Sequence, residues 1–437
     1  MILMKRALPD LNLPFAAVLF AACLLTPIVS LADAYLDARA SMISAYQAED
    51  YASMREYAEA ASAARPGFAG GLFNLALAQA LDSDPEASLA TLERLLLQRV
   101  DFGVANLEEF ATLQTLTGWD DYEKAVADLY EPVGSARVAY TLERSDFIPE
   151  GIAINGSGDL YLGSIRHGDI VRVAAGAKTL LTAKAGPHWS VYGMRLHEGK
   201  LWYVSSAVAQ FAGLDDDDAG RTGLFAMDLA SGELTTRAYL PKTAGQQVLG
   251  DLEFVDDDTL VLADQTDGVV YRYDLNSKSF STLVSRGVLG SPQGLALDES
   301  GNHVYIADYI GGLARVELKS GAIVQVESNE AVSLYGIDGL YAYKGRLIAI
   351  QNGIRPHRVV ELSLDATGTR ITGSRILAMN LPEFDEPNLG QVQGDKFYFI
   401  ANSHWNRFDN NNSLPDELSG PIILEVDLKN DQAQNVR

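Results

Sequence analysis

Cysteine is almost missing from this chain: one residue in 437, Cys23, and it falls inside the one long apolar run, Phe15–Val29. Lys5 and Arg6 precede that run and Ala32-Asp33-Ala34 follows it. A basic start, a short apolar core and a small-residue exit predict a secretory leader, residues 1–34, cleaved after Ala34. The run is too short for a bilayer-crossing helix, so no membrane span is expected after cleavage. Phe20-Ala21-Ala22-Cys23 fits a lipoprotein site only loosely, because apolar residues continue where a polar linker belongs. A mature chain from Tyr35 has no thiol, which excludes disulfides and thiolate metal sites. Its stability must come from a hydrophobic core, for which about 400 residues suffice. The expected location is periplasmic or secreted.

Basic residues are also scarce, 34 Lys and Arg against 58 Asp and Glu, a formal net charge of −24. Such a surface disfavours nucleic acid and anionic membrane as partners, and it favours cations wherever carboxylates converge. The acidic run Asp215–Asp218 reads as an exposed loop. Several catalytic signatures are missing: H-E-x-x-H, a phosphate-binding Gly-rich loop ending in Lys-Ser/Thr, and the G-x-S-x-G elbow. Gly156-Ser157-Gly158 belongs to a hairpin turn, and the sequons at Asn155 and Asn411 read as turns too.

What the chain does have is a repeat. Six segments share one pattern: Glu150–Ile154, Tyr192–Leu196, Asp251–Val255, Gln293–Leu297, Asp338–Ala342 and Asn388–Val392. A polar turn and a second apolar strand follow each one, as in Leu160–Leu162, Thr259–Leu262 and Phe397–Ile400. Third strands follow at Gly268–Leu275, Gly312–Leu318 and Pro421–Leu428. Short alternating strands at this period predict a mainly β fold, a six-bladed β-propeller over residues 136–430. Little apolar sequence follows Leu428, so the strand Arg137–Leu142 is expected to complete the last blade and remove its open edge. The loop Gln210–Arg221 is expected to project over one mouth of the channel.

In a propeller, the first residue of each innermost strand points at the axis. The predicted ring is therefore Glu150, Tyr192, Asp251, Gln293, Asp338 and Asn388. In four copies the next residue is glycine (151, 193, 294 and 339), which suits converging backbones that leave no room for a Cβ. Residues at the ends of the second strands, Ser164, Ser206, Asp264, Asp308, Asn352 and Asn402, read either as groups orienting the ring or as plain turn residues. His188-Trp189 and His404-Trp405 sit on loops that could reach the mouth, where an indole stacks on a substrate and a histidine shuttles protons; otherwise these histidines lie on the surface.

Residues 35–130 differ in composition. They are rich in Ala, Leu and Glu, with helical spacing at Leu72, Leu75, Ala76 and Ala80. Asp84-Pro85-Glu86 has the form of a helix start. Ala52-Ser53-Met54 and Ala87-Ser88-Leu89 match at an interval of 35 residues, similar to tetratricopeptide repeats. A plain helical cap packed on the propeller is the other reading. Glu131–Ser135 reads as the turn that ends this part.

Pro149-Glu150-Gly151, Pro292–Leu295 and Asp338-Gly339-Leu340 resemble the gluconolactonase and regucalcin (senescence marker protein) family, and more distantly the paraoxonases. The resemblance implies one divalent cation on the axis, held by a Glu of the first blade, Asn residues of two middle blades and an Asp of the fifth. It implies lactone or ester hydrolysis with that Asp as general base. Carried over here, Glu150, Asp251, Gln293 and Asp338 would hold the ion, and Asp338 would also be catalytic. Asp251 and Gln293 replace Asn, yet both offer oxygen to a hard ion, calcium in preference to zinc. The family's substrate-contacting arginine before the middle-blade Asn is absent, since Leu249 and Gly250 stand there. Tyr192, Asn388 and His188 complete the candidate substrate-contacting set. The expected function is a metal-dependent hydrolase acting on a small cyclic ester. The alternative is a non-catalytic propeller that binds a ligand or, through the helical segment, a protein.

Overall fold

The computed structural model describes residues 31–429 except 175–176, 182–188 and 244. Residues 1–30 of the predicted leader, and His188, lie outside the described residues; residues 31–34 open the first helix. Among the described residues, no helix is long and apolar enough to cross a membrane.

Six antiparallel sheets follow one another along the chain, each wound from the axis outward. Their innermost strands are Pro149–Ile154, Ser190–His197, Leu249–Phe254, Pro292–Leu297, Ile337–Tyr343 and Gly390–Gln393. The protein is a six-bladed β-propeller. Arg137–Thr141 supplies the outer strand of the sixth blade, with Arg137 opposite Glu425 and Thr141 opposite Ile422. First and last strands of the propeller thus share one sheet, and no blade edge is left open at the seam. One element was not legible in the sequence. Val133 and Gly134, expected as a turn, pair with Met379 and Ala378 as a fifth strand on the fifth blade.

The innermost strands of the first five blades all carry a register irregularity around the predicted ring position, as between Pro149 and Ile152 or Ile337 and Leu340. A bulge re-aims one side chain without ending the strand. Convergence is tight there. A Cβ on Gly151 would lie 2.2 Å from the Tyr192 carbonyl, on Gly193 2.4 Å from Asp251 Oδ1, and on Gly294 2.5 Å from the Asp338 carbonyl. Each of these glycines abuts the next blade's ring residue.

Among the described residues, five α-helices precede the propeller: α1 (Leu31–Gln47), α2 (Tyr51–Ala64), α3 (Ala69–Leu81), α4 (Pro85–Leu97) and α5 (Trp119–Leu129). Asp50 and Asp84 cap α2 and α4 by accepting the amides of Ser53 and Ala87, and Pro85 opens α4. Helix α3 is buried along nearly its whole length, because α2, α4 and the 3-10 segment Glu108–Thr115 pack on it and Tyr335 of the propeller meets it at Gly70. Gly70 faces the Tyr335 ring, where a Cβ would lie 2.6 Å away. This close approach accounts for a glycine inside a helix, where it is otherwise unfavourable.

The helical segment is docked by directed bonds as well as apolar contacts. The buried Arg358 of the fifth blade donates to the carbonyls of Gln98 (2.9 Å) and Arg99 (3.2 Å) just past the end of α4, and to Gln351 Oε1 (2.7 Å). The Asp101 amide donates to the Arg355 carbonyl at 2.7 Å. Arg358→Leu is expected to orphan those acceptors at roughly 1–3 kcal/mol each. Calorimetry should show a lower Tm, and limited trypsin digestion should release the helical segment faster. An unchanged Tm and digestion pattern would contradict this docking role.

Candidate functional site

Three ring carboxylates, Glu150, Asp251 and Asp338, sit at the strand irregularities, and each has a different environment. Glu150 is buried, and its Oε2 accepts from Asn388 Nδ2 at 2.6 Å and from the indole N–H of Trp405. Burial, then Asp338 and also Glu386, push its pKa well above the usual carboxylate range. Asp338 Oδ2 accepts from Asn352 Nδ2 at 2.6 Å, and Asn352 Oδ1 accepts from the Tyr309 hydroxyl at 3.0 Å. Burial raises Asp338 to about 6; the Asn352 bond opposes the rise and Asp251 adds to it. Neither Glu150 nor Asp338 forms an ion pair with a described residue.

Asp251 differs from what the resemblance implies. Its Oδ2 faces Arg195 Nη2 at 3.3 Å and accepts the Leu295 amide at 3.2 Å. Arg195 also reaches Glu253 at 3.0 Å and lies over the Tyr341 ring, 5.8 Å from its centroid. Burial pushes Asp251 up to about 6 against the pull of Arg195. A cation from the protein thus already serves Asp251, while its Oδ1 is buried without a partner. The sequence shows no arginine before Asp251, and the one that serves it comes from the second blade. Gln293 is half-buried, with Nε2 donating to Ser291 Oγ at 3.1 Å.

Tyr192 is buried beside Glu150, which adds to the burial that raises its phenol pKa, and its ring lies 6.2 Å from that of Trp405. Trp405 is therefore one of the residues that closes the site. It rides on the loop between Ile400 and Ile422, whose Phe408, Leu414 and Leu418 pack against the core of the second and third blades. His404, which could have been a surface residue, is buried instead and bonds Asp385 Oδ2 at 2.9 Å and Asn402 at 3.1 Å. The Gln210–Arg221 loop leans on the first blade, where the Ala212 amide donates to the Arg166 carbonyl at 2.8 Å.

The residues at the ends of the second strands separate into two roles. Asp264 accepts the amides of Val248, Thr266 and Asp267, and Asp308 those of Gly290 and Ser291. Asn402 ties Ile422, Ser419 and Gly420 together. Ser164 bonds the Phe147 carbonyl, and Ser206 bonds Thr222. These five organise turns. Of the six, Asn352 is the one that touches a ring side chain.

Glu386 was missed by the sequence reading. It precedes Asn388 by two positions, adopts a left-handed backbone (φ 62°) and accepts the Asn406 amide at 2.8 Å. Burial pushes it up to about 7; the Asn406 bond opposes this, and Asp338 adds to it. A strained non-glycine residue beside a carboxylate cluster is a common mark of a functional site. The only sequence hint is its position beside the ring.

Glu386 and Asn352 belong to the floor of a cavity of about 580 Å³ between the propeller mouth and the helical segment. Tyr309 lines the propeller side; Tyr35, Phe73 and Phe102 line the helical side. That size suits a small molecule. The helical segment is a cap over the site.

A divalent cation fits part of the ring. Glu150 and Asp338 are hard oxygen donors without a cationic partner, each with one oxygen already oriented by an amide. Asp251 fits less well, because Arg195 already compensates its charge. Among the described residues, the one trio of His and carboxylate ligand atoms within 4.8 Å of one another is His197, Glu198 and Asp257, away from the ring. Those residues come from the hairpin ends of two neighbouring blades, the second and third, and both acids are exposed.

No family model matches the chain, and no curated protein matches it. Solved structures do. A PQQ-bound aldose sugar dehydrogenase from Streptomyces coelicolor is 17% identical, with 68% of this chain and 98% of that chain covered and a TM-score of 0.45. A provisionally assigned gluconolactonase is 15% identical (70% and 96% covered, TM-score 0.46). Virginiamycin B lyase from Staphylococcus aureus is 11% identical (68% and 99% covered, TM-score 0.43). At these values the likeness is one of fold alone.

Proposed function

We propose that the protein hydrolyses a small cyclic or open ester in the capped cavity, with Asp338 as general base. The observation that carries this is the chain Tyr309–Asn352–Asp338, which leads from the cavity floor to a half-buried carboxylate whose pKa is raised to about 6. A base is most effective when its pKa lies near the working pH, and burial is what brings a carboxylate there. Asn352 fixes one oxygen of Asp338, leaving the other to take a proton from water. Glu386, raised to about 7, is placed to return a proton to the leaving alkoxide. Tyr192 and Trp405 wall off solvent around Glu150. Glu150 and Asp338, with the amide oxygen of Gln293, would hold a divalent cation, which when bound supplies Lewis-acid polarisation of the carbonyl. Turnover of a lactone and ester panel, with and without added calcium or zinc, tests the reading. Binding without turnover across the panel would favour a non-catalytic ligand-binding propeller.

The same carboxylates make a prediction about stability. Glu150, Asp251, Asp338 and Glu386 all have folded-state pKa values above their ordinary ones. The folded protein therefore holds more protons than the unfolded chain above about pH 4, so these groups lower stability as pH rises toward 7. A cation replaces those protons. Calcium at a hundredfold excess over its Kd is expected to stabilise by about 2.7 kcal/mol at pH 7.5 and by much less at pH 5. Calorimetry on chelator-treated protein checks both values, and an equal calcium effect at the two pH values would contradict a carboxylate site.

A further inference from the structure

We infer that the helical cap makes the cavity a receptor for an apolar carboxylate: a small molecule with an alkyl or aryl body and one anionic group. This deepens the proposed function by naming its substrate class. The cavity wall is divided chemically. Its helical side carries an apolar patch of Ile43, Phe73 and Phe102 with the ring of Tyr35, bordered by Asn74, Asp101 and Asn106. Its floor is acidic, with Glu386 in the lining and Asp338 one hydrogen bond behind Asn352.

Two arginines line the same cavity from opposite partners, Arg39 on α1 of the cap and Arg355 on the fifth-blade loop. Neither forms an ion pair with a described residue. In a chain with 58 acidic and 34 basic residues, two arginines in one pocket without an ion pair are unusual. The carboxylates sharing the lining, Asp101 and Glu386, lie beyond ion-pair distance, although Arg355 is near enough to Glu386 to lower its pKa. Guanidinium groups bind carboxylates through paired N–H donors. The acidic floor repels an anion, so the anionic group must sit at the arginines. The body then lies along the aromatic wall, and the opposite end of the molecule faces the floor at Glu386 and Asn352. Polyhydroxylated sugar acids satisfy the arginines but leave the apolar wall uncompensated, and neutral alcohols do the reverse.

Calorimetric titration of the full chain with octanoate, 1-octanol and gluconate separates these cases. Octanoate is expected to bind at least tenfold more tightly than either of the others. Arg39→Gln and Arg355→Gln should each weaken octanoate by tenfold or more and leave octanol unchanged. Ile43→Ser should weaken octanoate and octanol together. Ile43 and Arg39 are both partly exposed, and circular dichroism would confirm that the variants fold. Gluconate binding as tightly as octanoate, octanoate affinity unchanged in both arginine variants, or no octanoate binding at all would overturn the inference. Titration requires no turnover, so failure of catalysis leaves this result standing. Conversely, failed octanoate binding leaves the Asp338 chemistry to be judged by its own assay.

Discussion

Asp338→Asn is expected to lower ester or lactone turnover by roughly two to four orders of magnitude, the usual worth of a positioned general base. The substituted amide keeps an oxygen where the carboxylate was, and Asn352 still has an acceptor there. Size and packing are nearly conserved, so the loss would lie in proton acceptance. Calcium-dependent stabilisation should persist, because Glu150 and the amide oxygen of the substituted side chain remain. Glu150→Gln should do the opposite, weakening cation binding first, with activity partly restored by excess ion. The wild-type rate should rise with pH through an apparent value of about 6, since the base must be unprotonated. That value belongs to the coupled cluster and not to Asp338 by itself. Full activity in Asp338→Asn would remove the base from this residue.

Arg195→Met is expected to cost about 3–5 kcal/mol, the usual penalty for leaving a buried charge without its partner. Arg195 is the cation against Asp251, which is 1% exposed and has one orphaned oxygen already. With the guanidinium removed, the folded-state pKa of Asp251 rises further above its ordinary value. The aspartate then protonates in the folded protein at a higher pH, and stability falls as pH increases through that value. Urea unfolding should therefore show a large loss at pH 8 and a much smaller one at pH 5. The double variant Arg195→Met/Asp251→Asn removes both charges and should recover most of the deficit. An additive double variant, or a loss that does not change with pH, would show that the pair does not act as a unit.

Periodicity by itself determined the propeller, its six blades and the closure by Arg137–Thr141. Each of these follows from a pattern that repeats locally: alternating strands, a polar turn, and glycine where backbones meet. Two consecutive residues, such as Asp338-Gly339, encode both the side chain at the axis and the space it needs. The helix start at Asp84 was equally open to reading, since capping depends on residues three apart.

The environment of each ring residue was decided by tertiary structure. Arg195 reaches Asp251 because a bulge between Val191 and Met194 resets the side-chain alternation of its strand, and alternation is the signal from which facing is read. Trp405 covers Glu150 from a loop 255 residues away in sequence. Glu386 turns toward the cavity through a left-handed backbone that its side chain does not favour and that only the surrounding packing holds. The cap over the mouth depends on Gly70 meeting Tyr335 and on Arg358 meeting the end of α4, contacts between segments with no shared pattern. Local repetition fixes where a backbone goes, while long-range packing fixes which charges end up as neighbours, and the chemistry of this site depends on those neighbours.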